Sequence, residues 1–314
     1  MNYIVLDLEW NQDPNGEEAK EGELIFEIIE IGAIKLSHAK SMVDEFSELI
    51  KPQVFRELNH FTSRLLHLQM QELEDTGRVF PEVAADFKKW CGSDFMFCTW
   101  GTQDLTELQK NIQYYHMAPI CEKPLAYYDV QKLFSLAYED GKSRKSLEYA
   151  VDFLGIEKDI PFHRAFSDAY YTAKVFMKIK DERILRCISF DTFHAPLVKE
   201  DEVYIVFEKY AKYISREFED KQHLMADKDV ISTRCYLCNR AARKKIRWFS
   251  PNGRNYLCAA YCDRHGYLKG KLRIRRDCNG KFYAVKTLKL IDRNAFDRLQ
   301  ERFTRVKQMK KRKK

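Results

Sequence analysis

The chain has 314 residues, of which 45% are hydrophobic and 32% charged, and its formal net charge is +7. At roughly 100–200 residues per domain, this length predicts two or three domains, and the apolar fraction excludes a chain that is disordered throughout. No apolar run approaches the ~20 residues of a membrane span, and the N-terminal segment MNYIVLDLEW begins a strand rather than a secretory signal. We therefore expect a cytoplasmic protein without a membrane anchor.

The charge is unevenly distributed along the chain. Residues 1–227 contain 27 Lys and Arg against 41 Asp and Glu, a net charge of −14, whereas residues 228–314 contain 27 against 6, a net charge of +21. A strongly basic segment favours a polyanionic partner, because Lys and Arg near phosphates release condensed counterions. The alternative is a solvated basic tail. The division indicates an acidic enzyme body followed by a segment that binds nucleic acid.

The first part of the chain predicts strands followed by interleaved helices. Branched, alternating residues predict strands at Tyr3–Trp10, Phe26–Leu36, Ser41–Ile50 and Asp94–Thr99. A polar loop is predicted at Gln12–Gly22. Apolar residues every three or four positions predict helices at Val83–Trp90, Asp104–His116, Val130–Tyr138, Lys145–Leu154 and Ser167–Lys180. This order predicts an α/β domain with a mixed sheet over residues 1–182.

The remainder is predicted to consist of a connector, a small module and a tail. A long helix is predicted from Asp201 to about Met225, inside a helical connector over residues 183–230, because apolar residues repeat at helical spacing at Val203, Val206, Phe207, Tyr210, Ile214 and Phe218. Residues 231–290 are predicted to form short basic strands. Residues 291–314 predict a basic helix from Asn294 that ends in a frayed tail.

Two carboxylates lie on one face of the first predicted strand. Asp7 and Glu9 are two residues apart, so both side chains leave the strand on the same side. Two such groups among apolar residues are unfavourable unless a cation lies between them, and carboxylate oxygens favour Mg²⁺ or Mn²⁺. A D-x-E pair is also common on exposed strand faces, so alone it is a weak indication.

Two later segments place an aspartate at the start of a predicted helix. Asp104 ends the segment WGTQD, where an Asp can also serve simply as a helix N-cap. His163 precedes Asp168 by five residues in the segment HRAFSDA. A lone His before a helix is more often structural than catalytic, so it is the combination with Asp7 and Glu9 that is informative.

Together these segments resemble the DEDDh branch of the DnaQ-like 3′→5′ exonucleases. The family's D-x-E motif matches Asp7 and Glu9, its helix-starting Asp matches Asp104, and its H-x4-D motif matches His163 and Asp168. The segments DLEW, EIIEIGAIKL and HRAFSDA are closest to the Eri-1 and KapD-type RNA exonucleases, whereas HFTSRLLHL departs from the LTG-like segment of the family. The resemblance covers residues 1 to about 182 and implies an RNase H-like mixed sheet flanked by helices.

The resemblance also implies a two-metal hydrolysis of phosphodiester bonds. Asp7, Glu9, Asp104 and Asp168 would bind two Mg²⁺ or Mn²⁺ ions, which in such sites lie about 3.5–4 Å apart, with Asp7 as the bridging ligand. His163 would accept the proton of the attacking water, a role that suits the ordinary histidine pKa of about 6.5. Trp10 is a candidate for stacking on the terminal base, with a core aromatic role as the alternative.

A cysteine and histidine pattern follows in the basic module. The chain has nine cysteines, which without a signal peptide are expected to be reduced. Cys235 and Cys238 precede a basic hairpin, and Cys262 and His265 follow it, at the spacing of a structural zinc site. Cys258 is a rival fourth ligand, and metal-free cysteines are the other alternative. We expect one structural Zn²⁺, because four protein ligands leave no position for a catalytic water.

The module also interleaves basic and aromatic residues, a composition suited to phosphate contacts and base stacking. The basic residues predicted to contact nucleic acid are Arg243, Lys244, Lys245, Arg247, Arg273, Arg275 and Arg276. The alternative is docking on a protein or on a ribosomal RNA surface.

The leading hypothesis is a metal-dependent 3′→5′ exonuclease that acts on RNA, single-stranded or with a 3′ overhang. The same chemistry on single-stranded DNA, in repair or proofreading, is the alternative within enzymes. The alternative of another class is a non-catalytic nucleic-acid-binding protein with an inactive nuclease fold. All five motif positions are filled, which favours an active enzyme.

Overall fold

The apolar N-terminal segment is the centre of a six-stranded sheet in the computed structural model, which describes residues 1–14 and 24–312. The strands are β1 Asn2–Asn11, β2 Glu27–Leu36, β3 Met42–Leu49, β4 Phe95–Thr99, β5 Leu125–Asp129 and β6 Ser189–Asp191. Their spatial order is β3-β2-β1-β4-β5-β6, with β1 antiparallel to β2 and parallel to β4. The mixed α/β sheet predicted for this part of the chain is confirmed.

Helices cover both faces of this sheet because β1 is apolar on both sides. The helices are α1 His60–Leu66, α2 Met70–Thr76, α3 Phe80–Cys91, α4 Asp104–Tyr114, α5 Val130–Tyr138, α6 Leu147–Phe153, α7 Ala165–Lys178 and α8 Glu182–Leu185. Tyr3 and Val5 share a core with α5, α6 and α7. Ile4 and Leu6, on the opposite face, share a second core with α3 and α4. Alternate residues of one strand therefore build two cores.

The second part of the chain forms another six-stranded sheet, in which the strand pairs are antiparallel. Its strands are β7 Val203–Val206, β8 Tyr210–Ile214, β9 Arg243–Phe249, β10 Asn255–Cys262, β11 Gly266–Arg276 and β12 Phe282–Ile291, in the order β7-β8-β12-β11-β10-β9. A 3₁₀ turn at Lys199–Asp201 and the helices α9 Lys221–Ala226 and α10 Arg293–Arg312 complete it. The chain thus divides into two units, Met1–Asp191 and Thr192–Lys314.

Alternate residues of β11 define the two faces of the second sheet. Leu268, Gly270, Leu272 and Ile274 are buried on the side that we call the cysteine face, because Cys258 and Cys262 of β10 pair with residues of that side. Tyr267, Lys269, Lys271, Arg273 and Arg275 lie on the other side, which we call the helix face. Helix α10 packs on the helix face, where the rings of Phe296 and Tyr267 stack at 4.3 Å.

The predicted strands and helices of residues 1–182 recur in the structure with ends shifted by a few residues, and α5 has the predicted bounds. Helices α1 and α2 and strands β5 and β6 were not anticipated. Of the loop predicted at Gln12–Gly22, residues 15–22 lie outside the described residues. In the described part of the chain, none of the helices combines the length and apolar character needed to cross a membrane.

The prediction of a long helix from Asp201 to about Met225 is wrong. The prediction of a helical connector over residues 183–230 is wrong with it. Its apolar residues belong to the hairpin of β7 and β8, followed by the short helix α9. In β8, Ala211 and Tyr213 are buried on the cysteine face, so the same segment fits a period of two. The β-branched and aromatic residues of VYIV and YAKYI, which favour strands, were the available signal.

A close contact between β2 and α7 fixes how the first unit is assembled. A Cβ atom on Gly32 would lie 2.1 Å from the backbone carbonyl carbon of Ala165 and from the backbone nitrogen of Phe166. No side chain fits there, because real Cβ atoms essentially never approach other atoms this closely. Gly32 is also the cross-strand partner of Asp7 in β1. The absence of a side chain at this position allows the first turn of α7 to approach β1.

We predict that Gly32→Ala destabilises the first unit by roughly 3 kcal/mol or more, because the added methyl group forces β2 and α7 apart. The control is Ala33→Gly, which changes the adjacent residue by the same single methyl group and should cost about 1–2 kcal/mol. Denaturant unfolding of both variants measures the difference. Equal losses of unfolding free energy in the two variants would contradict the role of this contact.

Candidate active site and candidate metal centre

Three acidic side chains converge next to the central strand of the first sheet. Carboxylate oxygens of Asp7, Glu9 and Asp168 all lie within 4.8 Å of one another. Asp7 and Glu9 come from the same face of β1, and Asp168 comes from the first turn of α7. Asp104, the first residue of α4, is outside this group of three, but it is the neighbouring charge that acts most on Asp7. The structure therefore brings the four carboxylates predicted from the sequence to one place.

Burial and mutual repulsion shift the proton affinity of the whole group upward. Burial, and next the charge of Asp104, raise the pKa of Asp7 well above its ordinary value. Burial and the charge of Asp168 raise the pKa of Glu9 to about 8. Burial raises the pKa of Asp104 to about 7, although the backbone N–H groups of Asp104 and Leu8 donate to its carboxylate. Burial also raises the pKa of Asp168, against the opposing effect of His163.

This donor set fits divalent cations. The carboxylates supply hard oxygen ligands, which Mg²⁺ and Mn²⁺ prefer. Their raised pKa values show that the negative charge of Asp7, Glu9, Asp104 and Asp168 is poorly compensated by the protein alone. A bound cation would favour the ionised form of each carboxylate and would remove the repulsion. The residues present are thus suited to hold the two metal ions expected from the sequence.

His163 lies at the entrance to α7 in a conformation that is uncommon for a residue with a side chain. Its φ is +66°, in the left-handed region. Its backbone N–H donates to Oδ1 of Asp168 at 3.3 Å, which ties the loop to the acidic group, while the residue itself is solvent-exposed. His163 is therefore exposed to solvent in the loop before α7, whose first turn carries Asp168.

Sequence reasoning missed an ion pair between a partly exposed arginine and a buried glutamate that anchors this loop. The guanidinium Nε of Arg164 donates to Oε2 of Glu30 at 2.9 Å, and the Glu30 side chain is only 3% exposed. Glu30 is the cross-strand partner of Glu9, and its charge raises the pKa of Glu9 while Arg164 opposes that effect. The only sequence signal was the arginine directly after His163. Its role can be recognised only when β2 is known to pair with β1.

Trp10 has the core role that was the alternative for it, and its stacking on a terminal base stays a prediction. Its ring is half-buried against Phe26 at 5.5 Å and packs against the core formed with α3 and α4. Its carbonyl oxygen accepts a hydrogen bond from the hydroxyl of Thr62 at 3.4 Å. A shift in strand register between Glu9 and Trp10 interrupts the pairing with β2, which resumes at Trp10 and Ile28. Trp10 is thus a core residue with one side accessible to solvent.

The sequence pattern of the RNase_T exonuclease family matches residues 4–176, more than half of the chain. The chain belongs to this exonuclease family. The matched residues include the four carboxylates, which lie on β1, α4 and α7, and His163 in the loop before α7. The predicted enzyme class, an exonuclease that hydrolyses phosphodiester bonds, and the predicted RNase H-like fold class are confirmed.

Several solved structures of exonucleases resemble this one. The nuclease domain of 3′hExo, described as a DEDDh family member bound to rAMP, is 19% identical, and the match covers 60% of this chain and 96% of that one, with a TM-score of 0.48. A full-length 3′-exonuclease is also 19% identical, covers 56% and 80%, and has a TM-score of 0.47. E. coli exonuclease I with an oligonucleotide is 14% identical, covers 76% and 61%, and has a TM-score of 0.43. No curated protein sequence matches this chain.

The second unit of this exonuclease brings three sulfurs and one imidazole together. The ligand atoms of Cys235, Cys238, Cys262 and His265 all lie within 4.8 Å of one another. Sγ of Cys235 is 3.4 Å from Nδ1 of His265, and Sγ of Cys238 is 3.7 Å from Sγ of Cys262. A disulfide would require about 2.05 Å, whereas two thiolates on a tetrahedral Zn²⁺ at about 2.3 Å lie about 3.8 Å apart. The group therefore fits a zinc ion.

Two tight turns present these ligands. Asn239, with φ +54°, closes the first turn by donating its backbone N–H to the carbonyl of Cys235 at 2.7 Å. Gly266, with φ +86°, follows His265 and starts β11. Backbone N–H donors and the imidazole of His265 outweigh burial at Cys262 and lower the pKa of that thiol to about 6. The turns thus hold the four side chains around a common centre.

Cys258 is separate from this group. It lies in β10 opposite Gly270, where its Sγ occupies the space in which a Cβ of Gly270 would be placed, at 2.5 Å. Burial raises the pKa of its thiol to about 12, as expected for an apolar core position. The structure therefore assigns His265, rather than Cys258, to the cluster, and the rival ligand considered from the sequence is wrong.

The basic residues predicted to contact nucleic acid do not form one surface. Arg243, Arg273 and Arg275 lie on the helix face, because their cross-strand partners are Tyr261, Val285 and Tyr283. Lys244 and Arg276 pair with Ala260 and Phe282 and lie on the cysteine face. Lys245 and Arg247 are exposed on the edge strand β9, where Lys245 is 5.8 Å from the ring centroid of Tyr261. The structure thus separates residues that the sequence pattern had grouped.

We predict that the metal-free first unit loses stability as the pH rises from about 4 to about 8. Carboxylates whose pKa is raised in the folded state bind protons more tightly there than in the unfolded chain, so their contribution is complete below about pH 4 and is lost through about 7–8. Thermal unfolding without Mg²⁺ or Mn²⁺ measures this slope. Added Mg²⁺ should restore the transition temperature most strongly near the upper end of this pH range, where the carboxylates are ionised.

The double variant Asp7→Asn with Glu9→Gln provides the comparison, because it removes two of the titrating groups without changing their size. Its transition temperature should depend less on pH in that range and should respond less to Mg²⁺. A slope and a Mg²⁺ response equal to those of the original protein would show that these carboxylates do not control the effect.

Proposed function

We propose that this chain is a 3′→5′ exonuclease that uses two divalent metal ions, Mg²⁺ or Mn²⁺, bound by Asp7, Glu9, Asp104 and Asp168. The observation that carries the proposal is the convergence of these carboxylates from β1, α4 and α7 at one place in the first unit. The ions would supply a metal-activated water and would stabilise the negative charge of the leaving oxygen. The polarity follows the motif order that resembles the DEDDh branch.

The protein's own groups would do the remaining work. His163 is the proposed general base, because it is exposed beside the acidic group and its backbone N–H is bonded to Asp168. Arg164 and Glu30 would hold the loop in position through their ion pair. The first-turn positions of Asp104 and Asp168 place both carboxylates at helix N-termini, where the helix dipole favours negative charge.

RNA is the proposed substrate class, single-stranded or with a 3′ overhang. Support comes from the segments DLEW, EIIEIGAIKL and HRAFSDA, which are closest to the Eri-1 and KapD-type RNA exonucleases. Single-stranded DNA, which carries the same scissile bond, is the competing substrate. The proposal extends to a structural Zn²⁺ held by Cys235, Cys238, Cys262 and His265, which would stabilise the second unit as an accessory nucleic-acid-binding module.

Hydrolysis of oligonucleotides labelled at the 5′ end tests this function directly. RNA and DNA of the same sequence, each with Mg²⁺, with Mn²⁺ and with neither ion, should give metal-dependent ladders that shorten from the 3′ end, with faster shortening of RNA. A strong preference for DNA would show that DNA, not RNA, is the substrate class. Shortening from the 5′ end, or the absence of any metal-dependent product, would contradict the proposed reaction.

We predict that Asp7→Asn lowers the rate of trimming by at least about 10³-fold, because the change removes one of the charged groups that would hold the metal ions. Asp75→Asn, at an exposed carboxylate of α2, is the control and should leave the rate unchanged. Binding of the oligonucleotide should persist in both variants. If Asp7→Asn trims at the original rate, the assignment of the metal site is wrong.

We predict that the original protein binds one zinc ion per chain. The variant Cys262→Ser should lose this ion, because three protein ligands bind Zn²⁺ more weakly than four. Elemental analysis measures the stoichiometry, and thermal unfolding should show a lower transition temperature for the second unit. The matched control is Cys258→Ser, which alters a cysteine outside the cluster and should retain zinc. Loss of zinc from the control, or zinc-free original protein, would contradict the site.

A further inference from the structure

A basic patch on the helix face is explained neither by the carboxylate site nor by the cysteine cluster. Lys269, Lys271 and Arg273 are alternate residues of β11, so they lie on one side of the sheet at intervals of roughly 6.6–6.8 Å. Lys289 of β12 is directly opposite Lys269 in the antiparallel register. Lys289 and Arg273 are solvent-exposed, whereas Lys269 and Lys271 are partly buried. Strand pairing thus joins positive charges from two central strands into a continuous patch.

Helix α10 borders this patch with further positive charge. The helix packs on the sheet through an apolar stripe formed by Phe296, Leu299, Phe303 and Val306. Arg298 and Arg302, four residues apart, lie close enough to the sheet for both charges to act on Lys269. The acidic residues Asp297 and Glu301 instead line a groove with Gln300 and Thr304. The side of α10 that carries Arg298 and Arg302 therefore extends the basic patch of the sheet.

The patch is unfavourable in the absence of a partner. Burial and then the cations Lys289, Arg302, Lys271 and Arg298 lower the pKa of Lys269, so the groups that act most on this lysine are all positively charged. Burial and the charges of Arg273 and Arg302 lower the pKa of Lys271 in the same way. Like charges directly opposite each other destabilise a strand pair. Lys269 and Lys289 are such a pair, and their repulsion destabilises the sheet. An anionic partner would remove this repulsion.

We propose that the patch formed by Lys269, Lys271, Arg273 and Lys289, bordered by Arg298 and Arg302, binds the phosphate backbone of a single-stranded nucleic acid. The proposal rests on the exonuclease function, which requires a polyanionic substrate, and it names a surface in the second unit that holds it. A row of cations matched to consecutive phosphates releases counterions on binding and needs no base sequence.

A lipid surface fits this patch less well than a nucleic acid does. Membrane-binding surfaces combine basic residues with apolar side chains that enter the lipid on the same side. Within residues 192–312, the exposed large apolar side chains that lie on strands are Tyr204 and Val206, and both lie on the cysteine face. The helix face therefore presents cations without that apolar component on its strands.

The test is the salt dependence of binding, measured by fluorescence anisotropy with labelled single-stranded RNA and DNA oligonucleotides and the full chain. The experiment is done without Mg²⁺ or Mn²⁺, so that the oligonucleotide is not hydrolysed. The double variant Lys269→Gln with Lys289→Gln should reduce the slope of log affinity against log salt by about 1.4, since each lost phosphate contact on a single strand contributes about 0.7.

The matched control is Lys221→Gln with Lys228→Gln, which removes two positive charges from exposed positions at α9 and the following turn. The control should keep the original slope. An original slope in the Lys269 and Lys289 variant, or an equal reduction in the control, would overturn the proposed surface. The proposal would also be overturned if the chain bound vesicles of phosphatidylserine through Lys269 and Lys289 but bound neither oligonucleotide.

This test separates the surface from the proposed reaction, because binding is measured without catalysis. Metal-dependent trimming with an unchanged salt slope in the double variant would overturn the surface and leave the exonuclease function standing. A reduced slope in a chain that hydrolyses no oligonucleotide would overturn the exonuclease function and leave the surface standing. Equal slope changes with RNA and DNA are expected, because the two share the phosphate backbone.

Discussion

Repulsion among four carboxylates, one buried and three partly buried, is the constraint on which the first unit depends. Asp7 and Glu9 lie on the central strand, and Asp104 and Asp168 lie at the starts of α4 and α7, so no single element contains the site. The two sequence-distant acids stand in first helical turns, where unpaired backbone N–H groups and the helix dipole favour negative charge. The fold thus offsets part of the repulsion, and the pKa of Glu9, raised by burial and by the neighbouring carboxylates, indicates that a cation would stabilise the group further.

The second unit concentrates the opposite charge by a different means. A helix terminus can stabilise a few carboxylates, but the lysines of β11 and β12 are held in place by strand pairing, which is indifferent to the sign of the side chains it aligns. The sheet must therefore gain its stability elsewhere. Buried apolar residues such as Leu272 and Ala284 supply it. One unit thus gathers carboxylates and the other gathers cations, and the net charge of +7 is the sum of these opposite charges.

The sequence was informative wherever the signal was local. A period of two placed Asp7 and Glu9 on one face, and short spacings identified Cys235 with Cys238 and Cys262 with His265. Local spacing also led to a wrong prediction, since the apolar residues of β7 and β8 fit a helical period when the turn between the two strands is not recognised. Contacts that depend on strand register could not be read. The role of Glu30 becomes clear only when it is placed opposite Glu9, and that of Lys269 only when it is placed opposite Lys289.

The segment around His163 shows how local and long-range determinants combine. Asp168 is fixed by α7, Arg164 is fixed by its ion pair with Glu30, and the backbone of Ala165 lies against Gly32 without an intervening side chain. These restraints come from β2, so the strand that pairs with the acidic strand also positions the loop that carries the histidine. His163 itself is left exposed, with a left-handed backbone. A residue in that conformation persists when its surroundings over-determine it. Because Glu30 and Gly32 lie two residues apart on one face of β2, a single strand face lies beside the acidic residues of β1 and also positions the loop that carries His163.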